Sequence, residues 1–193
     1  DANPTLEDLQ IFLNENFDFR YNVLTDMPEC KPKNTNTYRM IDKRMMNSLS
    51  YKAMMQGIDC KDADVKRFLF SDQIATHHPF QDYMAALPEW DGTDRVTMLG
   101  ARVSGNGMWL NGFHRWMLGM VAQWLGYPAR CANALAPILI SAEQGMCKST
   151  FCSILLPEEL RAYYTDKFAI TSTSGCEQKI STFGLINMDK HNQ

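Results

Sequence analysis

The chain opens with apolar side chains at helical spacing: Leu6, Leu9, Leu13 and Phe17, with Phe12 beside them and Pro4 near the start. Three- and four-residue intervals put these on one face of a helix over 5–17. The pattern then changes to Phe19-Arg20-Tyr21-Asn22-Val23-Leu24, closed by Thr25-Asp26-Met27-Pro28, which predicts a small hairpin near 19–30. A second helical stripe (Met45, Met46, Leu49, Ala53 and Met54) follows the cap residue Asp42 and stops at Gly57. Asp62 or Asp64 caps a third, short helix through Phe70. Pro79 opens a helix carrying Tyr83 and Met84, and Pro88 stops it. Asp91-Gly92 predicts a turn that aims Trp90 back against a neighbour. The densest stripe is Trp109, Leu110, Phe113, Trp116, Met117, Met120, Val121, Trp124 and Leu125, bounded by Gly105, Gly107 and Gly126. Side chains this large, at this spacing, form a core wall, each contributing about 2 kcal/mol on burial.

After Pro128 the texture changes. Ala134 to Ile140 is a continuous apolar run of strand length, the pattern of a buried parallel strand. It leads into Ser141-Ala142-Glu143-Gln144-Gly145-Met146-Cys147-Lys148-Ser149-Thr150, then a helix with Phe151, Ile154 and Leu155 inward before Pro157. Strand, tight loop, Lys-Ser/Thr and helix is the layout of a phosphate-binding loop, in which backbone N–H groups over Gln144–Thr150 cradle phosphate oxygens. Lys148 would offset the phosphate charge and the Ser149 hydroxyl would take a place on Mg²⁺. The pattern G-x-x-x-x-G-K-S/T is not met, because its glycine positions hold Ala142 and Cys147 and only Gly145 remains inside the loop. A residue other than glycine forced to positive φ costs about 1–2 kcal/mol. Further on, Phe183-Gly184-Leu185-Ile186-Asn187-Met188-Asp189 reads as an apolar strand ending in an acid. An acid at that place holds Mg²⁺ through water in nucleotide hydrolases. The next residue, where an acid polarises the attacking water in such enzymes, is Lys190.

Composition narrows the classes further. The 193 residues are 45% hydrophobic and 21% charged, which argues against disorder, collagen and a pure coiled coil. No apolar run reaches the roughly 18–20 residues of a membrane span and no secretory leader is visible, so a cytoplasmic protein with no membrane partner is expected. The net charge of −3 is uneven: residues 1–100 carry 11 Lys/Arg against 16 Asp/Glu. Within this acidic half, residues 31–52 are a basic exception, where Lys31, Lys33, Arg39, Lys43, Arg44 and Lys52 face one acid, Asp42. Its ordinary reading is a solvated face and loop; the alternative is a nucleic-acid contact through Lys43, Arg44 and Lys52. The six cysteines contain no C-x-x-C pair and no zinc-like spacing to histidine, so reduced, mostly buried thiols are expected. The adjacent His77 and His78 read as structural.

Together these blocks resemble the virulence-associated E (VapE-like) family, P-loop proteins of phages and mobile elements. The resemblance is carried by residues 19–23, His78-Pro79-Phe80 with Tyr83, and Leu87-Pro88-Glu89-Trp90-Asp91-Gly92. It continues through Arg115–Val121, Gln144-Gly145 with Lys148–Phe151, Leu156-Pro157 with Leu160, and Leu185–Asp189. It implies a helicase-like ATPase of the superfamily 3 and AAA+ kind, encoded with or fused to primases. Gln144, Gly145, Met146, Cys147, Lys148, Ser149 and Thr150 would hold ATP. Lys148 and Asp189 would be the catalytic pair, and Ser149 and Asp189 the Mg²⁺ pair. Against that family the chain stops early, at Gln193, so an incomplete core is expected.

The expected architecture is a mainly α amino-terminal region over 1–127, with a minor hairpin, followed over 128–193 by the first, truncated part of an α/β P-loop NTPase core. A loop over 165–182, rich in Thr, Ser and Gly, is expected to be mobile. The expected function is nucleotide binding in DNA replication of a mobile element or prophage, with single-stranded DNA, a primase and a homo-oligomer as partners. The alternative is a non-catalytic nucleic-acid-binding or assembly module with a degenerate loop.

Overall fold

The computed structural model describes residues 4–127, 133, 135–167 and 182–188. The chain divides into two compact units, Asp1–Pro79 and Phe80–Gln193, with the division 48 residues before the expected boundary at 127/128. The physical reason lies in the helix at the end of the expected first region. Its aromatic face packs against residues that follow it in sequence, as described below.

In the amino-terminal unit, α1 (Pro4–Asn16) leads directly into a hairpin of β1 (Phe17–Asn22) and β2 (Met27–Pro32). Phe19 lies opposite Cys30 and Tyr21 opposite Pro28 in antiparallel register. Phe17, expected on the helix, is the first residue of β1 and is buried there. The four-residue connection places Asp26 at φ +55°, and Asp26 accepts a hydrogen bond from the Tyr21 hydroxyl at 2.7 Å. Buried Asn22 holds the turn from inside: its carbonyl oxygen accepts from the N–H groups of Leu24 and Thr25, and its amide donates to Glu29. The sheet is larger than the expected hairpin. Two-residue strands β3 (Arg39–Met40) and β4 (Thr76–His77) complete it in the order β3-β2-β1-β4, with β4 parallel to β1. Strands this short carry no periodicity for a sequence pattern to show.

Helices α2 (Lys43–Met55) and α3 (Asp62–Leu69) supply the rest of that unit's core. Asp42 caps α2, accepting the Met45 N–H at 2.7 Å, and Gly57 follows at φ +82°. Leu49 and Ala53 are buried, whereas Met54, expected in the same stripe, is exposed. The cap of α3 is Lys61 rather than either aspartate; Asp64 instead accepts the Lys61 N–H from within the first turn. Leu9, Leu13, Phe17, Cys30, Ile41, Leu49, Val65 and Leu69 form one buried cluster, so three helices and the sheet share a single core.

The second unit begins with α4 (Pro79–Ala85), then α5 (Arg95–Ala101) and α6 (Gly107–Trp124). Asp94 caps α5 and Asn106 caps α6 through backbone N–H groups of Thr97, Met108 and Trp109. The α6 stripe buries Phe113, Trp116 and Met120 against Val96 and Leu99 of α5 and against Phe151, Leu155 and Leu185. Phe151 and Leu155 belong to α7 (Lys148–Ile154) and its cap; Ile154, expected inward, is 49% exposed. A 3-10 helix (Glu158–Tyr163) leads into β5 (Tyr164–Thr165), which pairs in parallel with β6 (Leu185–Ile186). Phe80 is buried between Trp124 and Tyr163, at centroid distances of 4.7 and 5.4 Å. Trp90 does not turn inward. It is 76% exposed, its indole N–H tied to the Thr93 carbonyl, because the Asp91-Gly92 turn closes on itself through Arg95.

The apolar run before the loop also differs from expectation. Residues 135–140 pair in no ladder among the described residues, and Ile138 and Ile140 are 78% and 88% exposed. A parallel strand requires a hydrogen-bonded neighbour, and among the described residues β5 and β6 pair only with each other. Position 134 and residues 168–181 of the expected mobile loop lie outside the described residues.

Candidate nucleotide loop and basic helix face

The loop 141–147 is a compact turn whose shape is set by two left-handed residues. Gly145 has φ +81°, at no steric cost to glycine, and Cys147 has φ +53° and ψ +25°. Cys147 is thus the position where the missing glycine matters. Ala142 is not among the described residues at positive φ, so the other substitution carries no such strain. The Cys147 carbonyl accepts the Phe151 N–H at 2.9 Å and so starts α7. The residue is exposed, and its thiol donates to the Gly145 carbonyl at 3.7 Å.

Lys148 crosses the base of the loop. Its ammonium donates to the Ser141 hydroxyl at 2.6 Å, and Ser141 in turn donates to the Glu143 carbonyl at 2.7 Å. Both Lys148 and Ser141 are half-buried, and Lys148 forms no ion pair among the described residues. The N–H groups of Lys148, Ser149 and Thr150 occupy the first turn of α7, where a helix supplies no acceptor of its own. Gln144, Gly145, Met146, Ser149 and Thr150 are all exposed. The structure therefore brings the lysine and the N–H groups over 144–150 into one turn. Asp189 and Lys190 lie outside the described residues, as do Cys131 and Cys176. Among the described residues no group of His, Cys, Asp and Glu side chains stands where it would hold a metal ion.

The basic run of the amino-terminal unit separates into two kinds of cation. Lys31 and Lys33 both pair with Asp18 and hold its carboxyl below the usual carboxylate range, and Lys31 lies 5.3 Å from the centroid of the Tyr38 ring. Arg20 pairs with Glu29 and stacks over the same ring at 4.0 Å. Lys43, Arg44 and Lys52 instead stand on the exposed half of α2, Lys43 and Lys52 at its two flanks, and form no ion pair among the described residues. Asn47, Ser48 and Tyr51 lie between them on that face.

Two residues of these sites carried no role in the sequence reading. Ser141 stands seven positions before Lys148, a separation that signals contact only once the turn is folded. Tyr51 precedes Lys52 and is one helical repeat from Asn47 and two from Lys43, so the α2 periodicity itself was the available signal. Among the described residues no helix is long and apolar enough to cross a membrane. Comparison of the chain with protein-family models, with curated proteins and with solved structures gives no match.

Proposed function

We propose that the loop 141–150 holds the phosphate tail of a nucleoside triphosphate, ATP in the first instance, and that the chain carries the phosphate-binding part of a helicase-like ATPase. The observation that supports this reading is the half-buried Lys148 ammonium, held across the loop by a neutral hydroxyl rather than a carboxylate. A partly desolvated cation without a counter-charge favours an anion, and the phosphate oxygens would take the place of the Ser141 hydroxyl. The first-turn N–H groups of α7 add donors of the same sense. When Mg²⁺ accompanies the nucleotide, Ser149 would be its ligand among the described residues, and the ion would offset phosphate charge. The VapE-like blocks add the context: replication of a phage or other mobile element, with subunits of a homo-oligomer and a primase as partners.

Titration with a fluorescent ATP analogue in the presence of Mg²⁺ tests the reading. Saturable binding is expected for the wild type and its loss for Lys148→Ala. A wild-type chain without saturable binding overturns the nucleotide role. A second reading, a binding module that keeps the loop without turnover, is favoured by the left-handed Cys147, a residue with a Cβ at a position where the phosphate-loop pattern has glycine. Nucleotide binding without release of phosphate supports this second reading; steady phosphate release by the purified chain defeats it.

A further inference from the structure

The exposed face of α2 has a charge and an aromatic ring that point to one class of ligand. Lys43, Arg44, Asn47, Ser48, Tyr51 and Lys52 lie together on the outer, solvent-facing side of this one helix. A helix rises about 1.5 Å per residue, so the Lys43/Arg44 pair and Lys52 lie about 12 Å apart along the axis. Tyr51 stands beside Lys52 and is 64% exposed, with no ring contact among the described residues. The Lys52 ammonium rests 5.3 Å from the centroid of the Phe17 ring, which orients the side chain without neutralising it. Three cations with no carboxylate partner among the described residues, in a half-chain whose overall balance is acidic, are a local and not a general attraction for anions.

We propose that this face binds single-stranded nucleic acid, with Lys43, Arg44 and Lys52 on backbone phosphates and Tyr51 stacked on an unpaired base. The charge asks for a polyanion; the aromatic ring selects its kind. A base shows its π-face only when it is not stacked in a duplex, and an exposed tyrosine between cations is the platform that such a base takes. Asn47 adds an amide that can pair with a sugar or a base edge. This surface lies in the Asp1–Pro79 unit and is independent of the nucleotide reading at Lys148.

The test is fluorescence anisotropy of a short labelled oligothymidylate titrated with the whole chain at several salt concentrations. Saturable binding is expected, weakened about 5- to 150-fold by Tyr51→Ala and kept by Tyr51→Phe. Lys43→Ala should flatten the dependence of log K on log salt by about 0.7. The ATP-analogue titration should be unchanged in Tyr51→Ala, which separates this surface from the loop. No binding by the wild type, or tighter binding of a duplex of equal length, overturns the proposal. A Tyr51→Phe chain as weak as Tyr51→Ala removes the stacking role. So does equal competition by heparin, which has the charge but no bases.

Discussion

Cys147 concentrates the question of function in one backbone angle. A Cβ at φ +53° costs about 1–2 kcal/mol, a cost removed by glycine, although the freer unfolded chain of Cys147→Gly offsets part of the gain. Cys147→Gly is therefore expected to leave stability unchanged or slightly higher in urea denaturation and to tighten the ATP analogue, since the Cβ is removed from the phosphate side. Weaker analogue binding by Cys147→Gly would show that the thiol contributes contacts rather than obstruction. Cys30 is a thiol of the opposite kind: burial in the first core pushes it up to about 11, so it stays protonated and inert where the exposed Cys147 is open to reagents. A cysteine count gives no way to tell these two apart, because exposure is a property of the packed chain.

At the scale of elements, caps account for most of what the chain announces locally. Asp42, Asp94 and Asn106 each accept N–H groups of the first turn that follows, and Gly57 and Gly126 stand at positive φ just past the ends of α2 and α6. These signals are legible in sequence because they act over three or four residues. The Asp94 carboxyl is held below the usual range, chiefly by the Thr97 N–H, and Asp91 is held well below it by Arg95. A carboxyl depressed in the folded state stabilises above its unfolded value, near pH 4, and that contribution disappears as pH falls through the folded value. Urea midpoints should accordingly fall between pH 6 and pH 3, and Asp94→Asn, which keeps a cap but does not titrate, should show a smaller fall. An identical pH profile for Asp94→Asn would place the acid sensitivity elsewhere. The run 135–140 marks the limit of local reading: its composition favours a strand, yet strand pairing needs a neighbour supplied by another part of the chain.

On the scale of the molecule, each unit has its own core, and the second is organised by contacts across long stretches of sequence. Gly184 shows how tightly. Its N–H donates to the Tyr163 carbonyl, its carbonyl accepts the Trp124 indole N–H, and a Cβ there would stand 2.1 Å from the Phe80 ring. Phe80 has little room to yield, since Trp124 and Tyr163 flank it. Gly184→Ala should therefore cost about 1–3 kcal/mol, read as a lowered urea midpoint in tryptophan fluorescence, which reports this unit because all four tryptophans lie in it. Wild-type stability in Gly184→Ala would mean that the ring moves freely. The aromatic stripe of α6 was plain in the sequence, but its partners Phe151, Leu155 and Leu185 were not, and they are what carries the unit boundary back to Pro79.

The sequence by itself determined the α-helices other than α5, the Asp42 cap, the hairpin turn and the presence of a Lys-Ser-Thr loop, because these depend on side-chain spacing and on backbone preferences within a few residues. Tertiary structure decided the rest. It brought β3 and β4 to the hairpin, spent Lys31 and Lys33 on Asp18 while leaving Lys43, Arg44 and Lys52 without an ion pair among the described residues, and set Lys148 on Ser141. Hydrogen-bond ladders and charge pairs join residues distant in the chain, so their choice of partner is fixed only when the core closes.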